Sequence, residues 1–401
     1  MKTETTLPFR YFLSLLVPAA MVLLFASCGN SEPTGEPPAE SPAKEEAEPA
    51  EPVPKDQKVE MKKPPVEEAP AEEKPKEVLE TVKVSLFSWP GYGFWFVAKE
   101  KGLTDGFELD IKIIEDPYES FGLMSAGQLD VTSSTVEYGP IAAEEGVPVK
   151  LVAYTNASYG TDKIILGPGV EDAAALKGKS VAVLEGGLTQ IYMGIFLEEN
   201  GVKFDEVQYV NVIMDDAVAA MVSGSVQAGE FWEPFGTQVL ETLEDSKVAS
   251  TSKDPYYQET GLLADGMYMS GSFLDGNPAL ASKVVKAYFD AVAYWKENTA
   301  EANKIIADAI QFDVKDVEAV IGVDGGPKDG GLYVFGWPES AAFMGVGEGE
   351  PPVGTNGQIK EHWKLTNEWW VKFGVCKEMH PPEAGIAFGP MKELEKSGYG
   401  E

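Results

Sequence analysis

The chain has 401 residues and carries 65 acidic side chains against 32 basic ones, a formal net charge of −33. That balance excludes nucleic acid as a partner, since phosphate contact needs clustered basic residues, and it describes a solvated, self-repelling surface. The cysteines, Cys28 and Cys376, are too few for a disulfide framework or a multi-cysteine metal site, and nothing in the sequence implies a cofactor.

In chain order, a weakly basic start (Lys2, Arg10) leads into a mostly apolar run from Tyr11 to Phe25, closed by Ala26-Ser27-Cys28-Gly29. The run is shorter than the roughly 20 residues that span a bilayer, so residues 1–27 read as a secretory signal and not as a membrane helix. The small residues before Cys28 resemble a bacterial lipobox, which makes Cys28 the expected lipidation site and anchors the mature chain on the outside of a membrane. Phe25 departs from the aliphatic residue usual three positions before that cysteine. Residues 28–80 are dominated by Pro, Glu, Ala and Lys, with few aromatic or branched aliphatic residues. Such a segment cannot bury enough apolar surface to offset its ordering entropy and reads as an extended tether.

From Val82 onwards, short β-branched runs alternate with longer amphipathic ones. Strands are expected at Val82 to Phe87, Glu108 to Ile114, Val131 to Ser133 and Val149 to Tyr154. Helices are expected at Phe94 to Lys101, Ser120 to Ser125 and Glu137 to Glu145. A second cycle sets strands at Ser180 to Leu184, Val207 to Val212 and Val226 to Phe231, with helices at Thr189 to Asn200 and Asp215 to Ser223. Long helices follow at Pro278 to Glu297 and Ala300 to Gln311. This order predicts two α/β lobes built on parallel sheets, residues 81–165 plus 267–401 and residues 166–266. Lys163 to Leu166 and Met267 to Met269 read as the strands that cross between them.

Ligands of open α/β sheets sit beyond the carboxyl ends of the strands, which singles out four loops. Ser88-Trp89-Pro90-Gly91-Tyr92-Gly93 offers Trp89 and Tyr92 as stacking faces, or a core tryptophan beside a turn. Ser133-Ser134-Thr135 offers three hydroxyls at a helix start, for a ligand or for capping alone. Glu185-Gly186-Gly187-Leu188-Thr189 is the matching turn of the second lobe, with Glu185, Gly187 and Thr189 as candidates. Glu230-Phe231-Trp232-Glu233-Pro234 brings Trp232 and Glu233 to a strand end, and Tyr159 and Asp162 lie near the first crossover. None of the four loops contains Arg or Lys. A cleft built from them favours an amine, a zwitterion or a nitrogen heterocycle over a simple anion, through charge pairing and cation–π attraction.

Trp89-Pro90-Gly91 through Ala98-Lys99-Glu100-Lys101-Gly102-Leu103, Met124-Ser125-Ala126-Gly127-Gln128-Leu129-Asp130-Val131, Leu176-Lys177-Gly178-Lys179-Ser180-Val181-Ala182-Val183 and Trp232-Glu233-Pro234-Phe235 resemble, in this order, the nitrate/sulfonate/taurine-type solute-binding proteins, which include binders of thiamine-pyrimidine precursors. The resemblance implies a type II periplasmic-binding fold, two α/β lobes joined by two crossover strands with a small-molecule ligand in the interlobe cleft. It also implies an ABC permease and ATPase as partners of an anchored, monomeric, extracytoplasmic protein that is not an enzyme. A pyrimidine-synthase-like enzyme is the alternative the resemblance itself raises, and a ligand-sensing lipoprotein is another. The only histidines, His362 and His380, fall in the C-terminal part, where the resemblance fades. Trp337, Trp363, Trp369 and Trp370 in that part read as packing the tail onto a lobe, with a lid or a permease contact as the sharper alternative.

Overall fold

The structure, a computed structural model, describes residues 79–326 and 328–400; the expected signal, Cys28 and nearly all of the tether lie outside them. The described strands form two sheets. β1 (Glu80–Leu86), β2 (Phe107–Ile113), β3 (Val131–Thr135) and β4 (Val149–Ser158) precede β5 (Lys163–Leu166), β6 (Ser180–Val183), β7 (Gln208–Asn211), β8 (Ala228–Phe231) and β9 (Lys247–Thr251). β10 (Ala264–Ser270) and β11 (Leu332–Val334) follow. The larger sheet has the order β11-β4-β10-β3-β1-β2 and the smaller one β7-β6-β8-β5-β9.

Each sheet has a parallel core, β2-β1-β3 and β7-β6-β8. Neither sheet is wholly parallel as the alternation predicts. β10 runs antiparallel to both β3 and β4, and β5 runs antiparallel to β8 and β9. The reason is directional: a chain arriving from the other lobe enters at the end where the parallel strands finish, so it must run against them. The two strands expected to cross between lobes therefore each belong to one sheet, and the crossings themselves occupy residues 159–162 and 252–263.

Helices pack on both sides of the sheets. Pro278–Glu297 begins on a proline, which suits a first turn that needs no amide donor. It buries Val284, Val285, Tyr288, Val292 and Trp295 against the larger lobe, where Phe94 meets Tyr288 and Trp295 edge-on at 5.8 and 5.7 Å. The helix expected from Glu137 to Glu145 is split into a 3-10 turn, Val136–Tyr138, and a helix, Gly139–Glu144. Pro140 has no N–H to continue the first turn, so the helix restarts around it. In the smaller lobe, Ile164, Val181, Val183 and Ala228 face the helix Leu188–Glu199, and Ile165, Ala182 and Phe231 face the helix Met214–Val222.

The C-terminal stretch forms the helix Ile359–Phe373 and a tail that bridges back to β4 at Leu151 and Ile386. The tail tryptophans do more than pack against one lobe. Trp363 lies in the core of the larger lobe, whereas Trp370 lies in the core of the smaller one. Phe373 stacks on Phe204 of the smaller lobe at 4.2 Å with an interplanar angle of 10°.

Candidate functional site

The strand ends of both lobes meet around a cleft of about 470 Å³, part of it open to solvent. β1 delivers Phe87, Trp89 and Tyr92 to it through the 3-10 turn Pro90–Tyr92, and Trp89 and Tyr92 pack edge-to-face at 5.1 Å. The Tyr92 hydroxyl donates to Asp265 Oδ1 at 2.6 Å. Burial pushes the Asp265 carboxyl up to about 7, against the pull of that hydrogen bond. Thr135, the last residue of β3, accepts the N–H of Leu188 at 3.2 Å, a direct bond from one lobe to the other. Gly187 precedes the helix Leu188–Glu199 and lies so close to Tyr138 that a Cβ there would stand 2.6 Å from the tyrosine oxygen. Thr189 turns its hydroxyl back on Leu184, accepting its N–H at 2.7 Å and donating to its carbonyl at 2.9 Å. Asp162 on the first crossover and Trp232 after β8 complete the ring.

Trp89, Tyr92, Thr135, Asp162, Gly187, Thr189 and Trp232 thus line one cleft. The other candidates lie outside its lining. Ser133 accepts the Trp95 indole N–H at 2.8 Å inside the larger lobe. Ser134 is buried in mid-sheet opposite Gly266. Strand alternation within a sheet sandwiched by helices is what takes these two hydroxyls away from the strand end. Tyr159 packs on Tyr333, with the Lys253 and Lys328 ammonium groups over its ring. Glu185 is exposed, its N–H donating to the Asn211 side chain at 3.0 Å. Glu233 is ion-paired with Lys163.

Sequence reasoning missed Tyr138, Ser158, Leu263, Asp265 and Leu332. Asp265 escaped because β10 is antiparallel, so that its first residues and not its last ones reach the cleft. Leu332 belongs to a C-terminal stretch with no legible pattern, and Tyr138 was read as the interior of a helix.

The polar character of the lining is distinctive. Asp162 and Asp265 are its only charged residues, and none of its described residues is Lys, Arg or His. The indole N–H groups of Trp89 and Trp232 and the hydroxyl of Tyr138 are buried and have no hydrogen-bond partner among the described residues. A buried donor left unpaired is costly, and a bound molecule with acceptor atoms relieves that cost. The cleft therefore offers uncharged donors and anionic acceptors around aromatic walls.

Comparison with known proteins agrees with this architecture. A Bacillus subtilis protein named for binding aliphatic sulfonates is 28% identical over 236 residues, 56% of this chain and 69% of that one. Among solved structures, the alkanesulfonate-binding protein SsuA of Xanthomonas axonopodis superposes with a TM-score of 0.61 at 14% identity, covering 77% of this chain and 99% of its own. The periplasmic nitrate-binding protein NrtA of Synechocystis does so with a TM-score of 0.59 at 14% identity, covering 80% and 89%. These likenesses establish the two-lobed periplasmic-binding fold. The family model described as NMT1/THI5 like matches residues 89–302, more than half of the chain. With its two lobes, its crossovers and its strand-end cleft all inside or beside that span, the chain belongs to the NMT1/THI5-like family.

Proposed function

We propose that the chain is the solute-binding component of an ABC importer and captures a small organic zwitterion or nitrogen heterocycle between its lobes. One observation carries the choice of ligand: two carboxyls and three unpaired uncharged donors share a cleft whose described lining contains no basic side chain. A simple inorganic anion would meet Asp162 and Asp265 with no cation to balance them. A molecule with a protonated or N–H-bearing nitrogen at one end and acceptor atoms at the other satisfies both sets, with its flat or apolar part against Trp89 and Trp232.

Capture works by closure. The Thr135–Leu188 bond and the approach of Gly187 to Tyr138 join the lobes across the cleft. A ligand that contacts both lobes binds the closed arrangement better than an open one, and that difference alone shifts the balance. The closed pair of lobes is then the surface a permease reads. A lipid on Cys28 and the Pro/Glu-rich tether would hold this head at the outer face of a membrane; among the described residues no helix is long and apolar enough to cross one.

Binding without turnover is the better reading of the site. The Thr135 and Thr189 hydroxyls are engaged with backbone groups. His362 and His380 lie elsewhere, on Gly261 and Glu144. The test is calorimetry with taurine, amino acids, aminopyrimidines, alkanesulfonates and nitrate on the purified head. Binding confined to the amine- and ring-nitrogen-bearing compounds supports the proposal. Tight binding of nitrate or alkanesulfonates with none of the others sinks it, and product formation from any of them would restore the enzyme reading.

A further inference from the structure

Glu230 stands in β8, the middle strand of the smaller sheet, where an apolar residue is the norm. It pairs with Ile164 in the register and shares the face of Ala228, towards the helix Leu188–Glu199. Its side chain is fully buried, and among the described residues no donor reaches either carboxyl oxygen. What lies next to it is another acid: Ile164 is the register partner of Glu230, so Asp162, two residues earlier and on the same face, is its diagonal neighbour, and Asp162 lines the cleft.

We propose that Glu230 is a positioning residue that holds a proton and donates it in a hydrogen bond to Asp162, so that the pair presents one negative charge to the cleft. Two ionised carboxylates have four acceptor oxygens and nothing to share, so their contact requires a proton between them. The proton belongs on Glu230. Asp162 sits beside the Lys163 ammonium and at the cleft wall, whereas Glu230 is behind it, and burial pushes its carboxyl well above the ordinary carboxylate range. No other described side chain donates to Glu230. The Lys163 ammonium is turned to Glu233, the Tyr192 hydroxyl is bonded to Ser250 at 3.0 Å, and the Ser158 hydroxyl donates to Ser252 at 2.6 Å. Asp265, across the cleft, adds negative potential that favours keeping the proton.

The consequence for the proposed ligand, on whose chemistry this part rests, is a fixed acceptor in which the acid pair carries a single charge. Glu230 holds Asp162 in one orientation and leaves its outer oxygen for a cationic N–H group. The pair then meets one cationic group with one charge, Asp265 standing as a separate carboxyl across the cleft, and the ligand's arrival need not expel the Glu230 proton.

Infrared difference spectroscopy tests the proton directly, without a ligand. Above the titration of Asp265, Glu230→Gln is expected to remove one carboxylic-acid carbonyl band from the spectrum of the free protein. A folded Glu230→Gln protein with the band intact would mean that Glu230 is ionised, and would overturn the proposal. Asp162→Asn supplies a second reading, since changing the acceptor must shift the same band; an unshifted band equally refutes the contact. Calorimetry with taurine and benzylammonium then reads the positioning. Glu230→Gln, which keeps a donor, should hold affinity within about threefold, whereas Glu230→Leu, which does not, should lose about tenfold, the scale of one lost hydrogen bond to a charged group. Equal losses in both variants would leave Glu230 without a positioning role. Wild-type protein that binds neither probe would refute the ligand chemistry proposed above and leave the infrared result to decide Glu230.

Discussion

The Tyr92 hydroxyl and the Asp265 carboxylate, 2.6 Å apart, tie the first strand-end turn of the larger lobe to the strand that returns from the smaller one. The bond sets the titration of Asp265, because it favours the ionised acid where burial favours the neutral one. Tyr92→Phe should therefore move Asp265 further up from about 7. At neutral pH the variant should bind a cationic ligand about five- to tenfold more weakly, the effect of one charge-assisted hydrogen bond. An NMR titration of Asp265 and calorimetry at two pH values check the two halves.

Affinity for a cationic ligand should itself rise with pH as Asp265 ionises through about 7, then level off. A neutral analogue of the same shape should show no such rise. Isothermal titration across the range, with Asp265→Asn as the flat control, distinguishes this from a general effect of pH on the fold.

Stability should run the other way. Glu137 is fully buried, accepts the N–H of Leu263 at 2.8 Å, and is raised by burial from 4.5 to about 8. An acid raised in the fold stabilises it at low pH, and that contribution is lost as pH climbs through the folded value. Asp265 finishes its own loss near 7, so the decline from there to about 8 is shared by Glu137 and Glu230, whose carboxyl burial also raises well above the ordinary range. His362 acts at the acid end, since burial lowers it to about 4 and its contribution disappears as pH falls through that value. Glu137→Gln should flatten the alkaline decline in urea-unfolding free energy, and an unchanged slope would assign it to other groups.

Gly187 adopts φ −112°, which any residue can take, so its need for glycine is purely one of space. Gly187→Val should leave the melting temperature nearly unchanged but cut ligand affinity by about tenfold or more, since closure would force it onto Tyr138. Tyr138→Ala alone should weaken binding by removing a donor, but Gly187→Val should cost much less in that background than in the wild type. Thermal melts paired with calorimetry on the single and double variants provide the check.

Trp370 is fully buried and its indole donates to the Glu137 carbonyl at 2.8 Å. Trp370→Ala should cost about 3–5 kcal/mol, as large aromatic truncations in a core do. Its neighbour Trp369 is half-buried, with its indole on the Tyr256 hydroxyl at 3.0 Å and its ring between Phe373 and the Lys372 ammonium, so Trp369→Ala should cost much less. Urea unfolding of the two variants side by side tests the contrast.

The two α/β cycles were legible because apolar alternation and glycine punctuation mark each strand and helix in turn, from Val82 to Phe231. The cleft was half legible. Trp89, Tyr92, Gly187 and Trp232 follow parallel strands and obey the strand-end rule, whereas Asp265 opens an antiparallel strand and violates it. Ser133 and Ser134 carried the right chemistry at the right loop, but pleating turned both inward. Glu230 could be read as an acid near a strand end. That it faces another acid depends on which strands β5 and β8 pair with, a long-range fact that no local pattern encodes. The same holds for the last 70 residues, whose tryptophans are spent on contacts with distant segments.

The helix Ile359–Phe373 has Trp363 in one lobe and Trp370 and Phe373 in the other. Besides the closure contacts across the cleft, the described lobes are thus joined by two stretches of backbone and one packed helix. Two joints define an axis about which bodies can both fold and twist relative to each other. A third joint restrains the twist and leaves folding as the softer motion. Each closing event then brings the same two faces into the same register, which is what a transporter must sense if it is to tell a loaded carrier from an empty one.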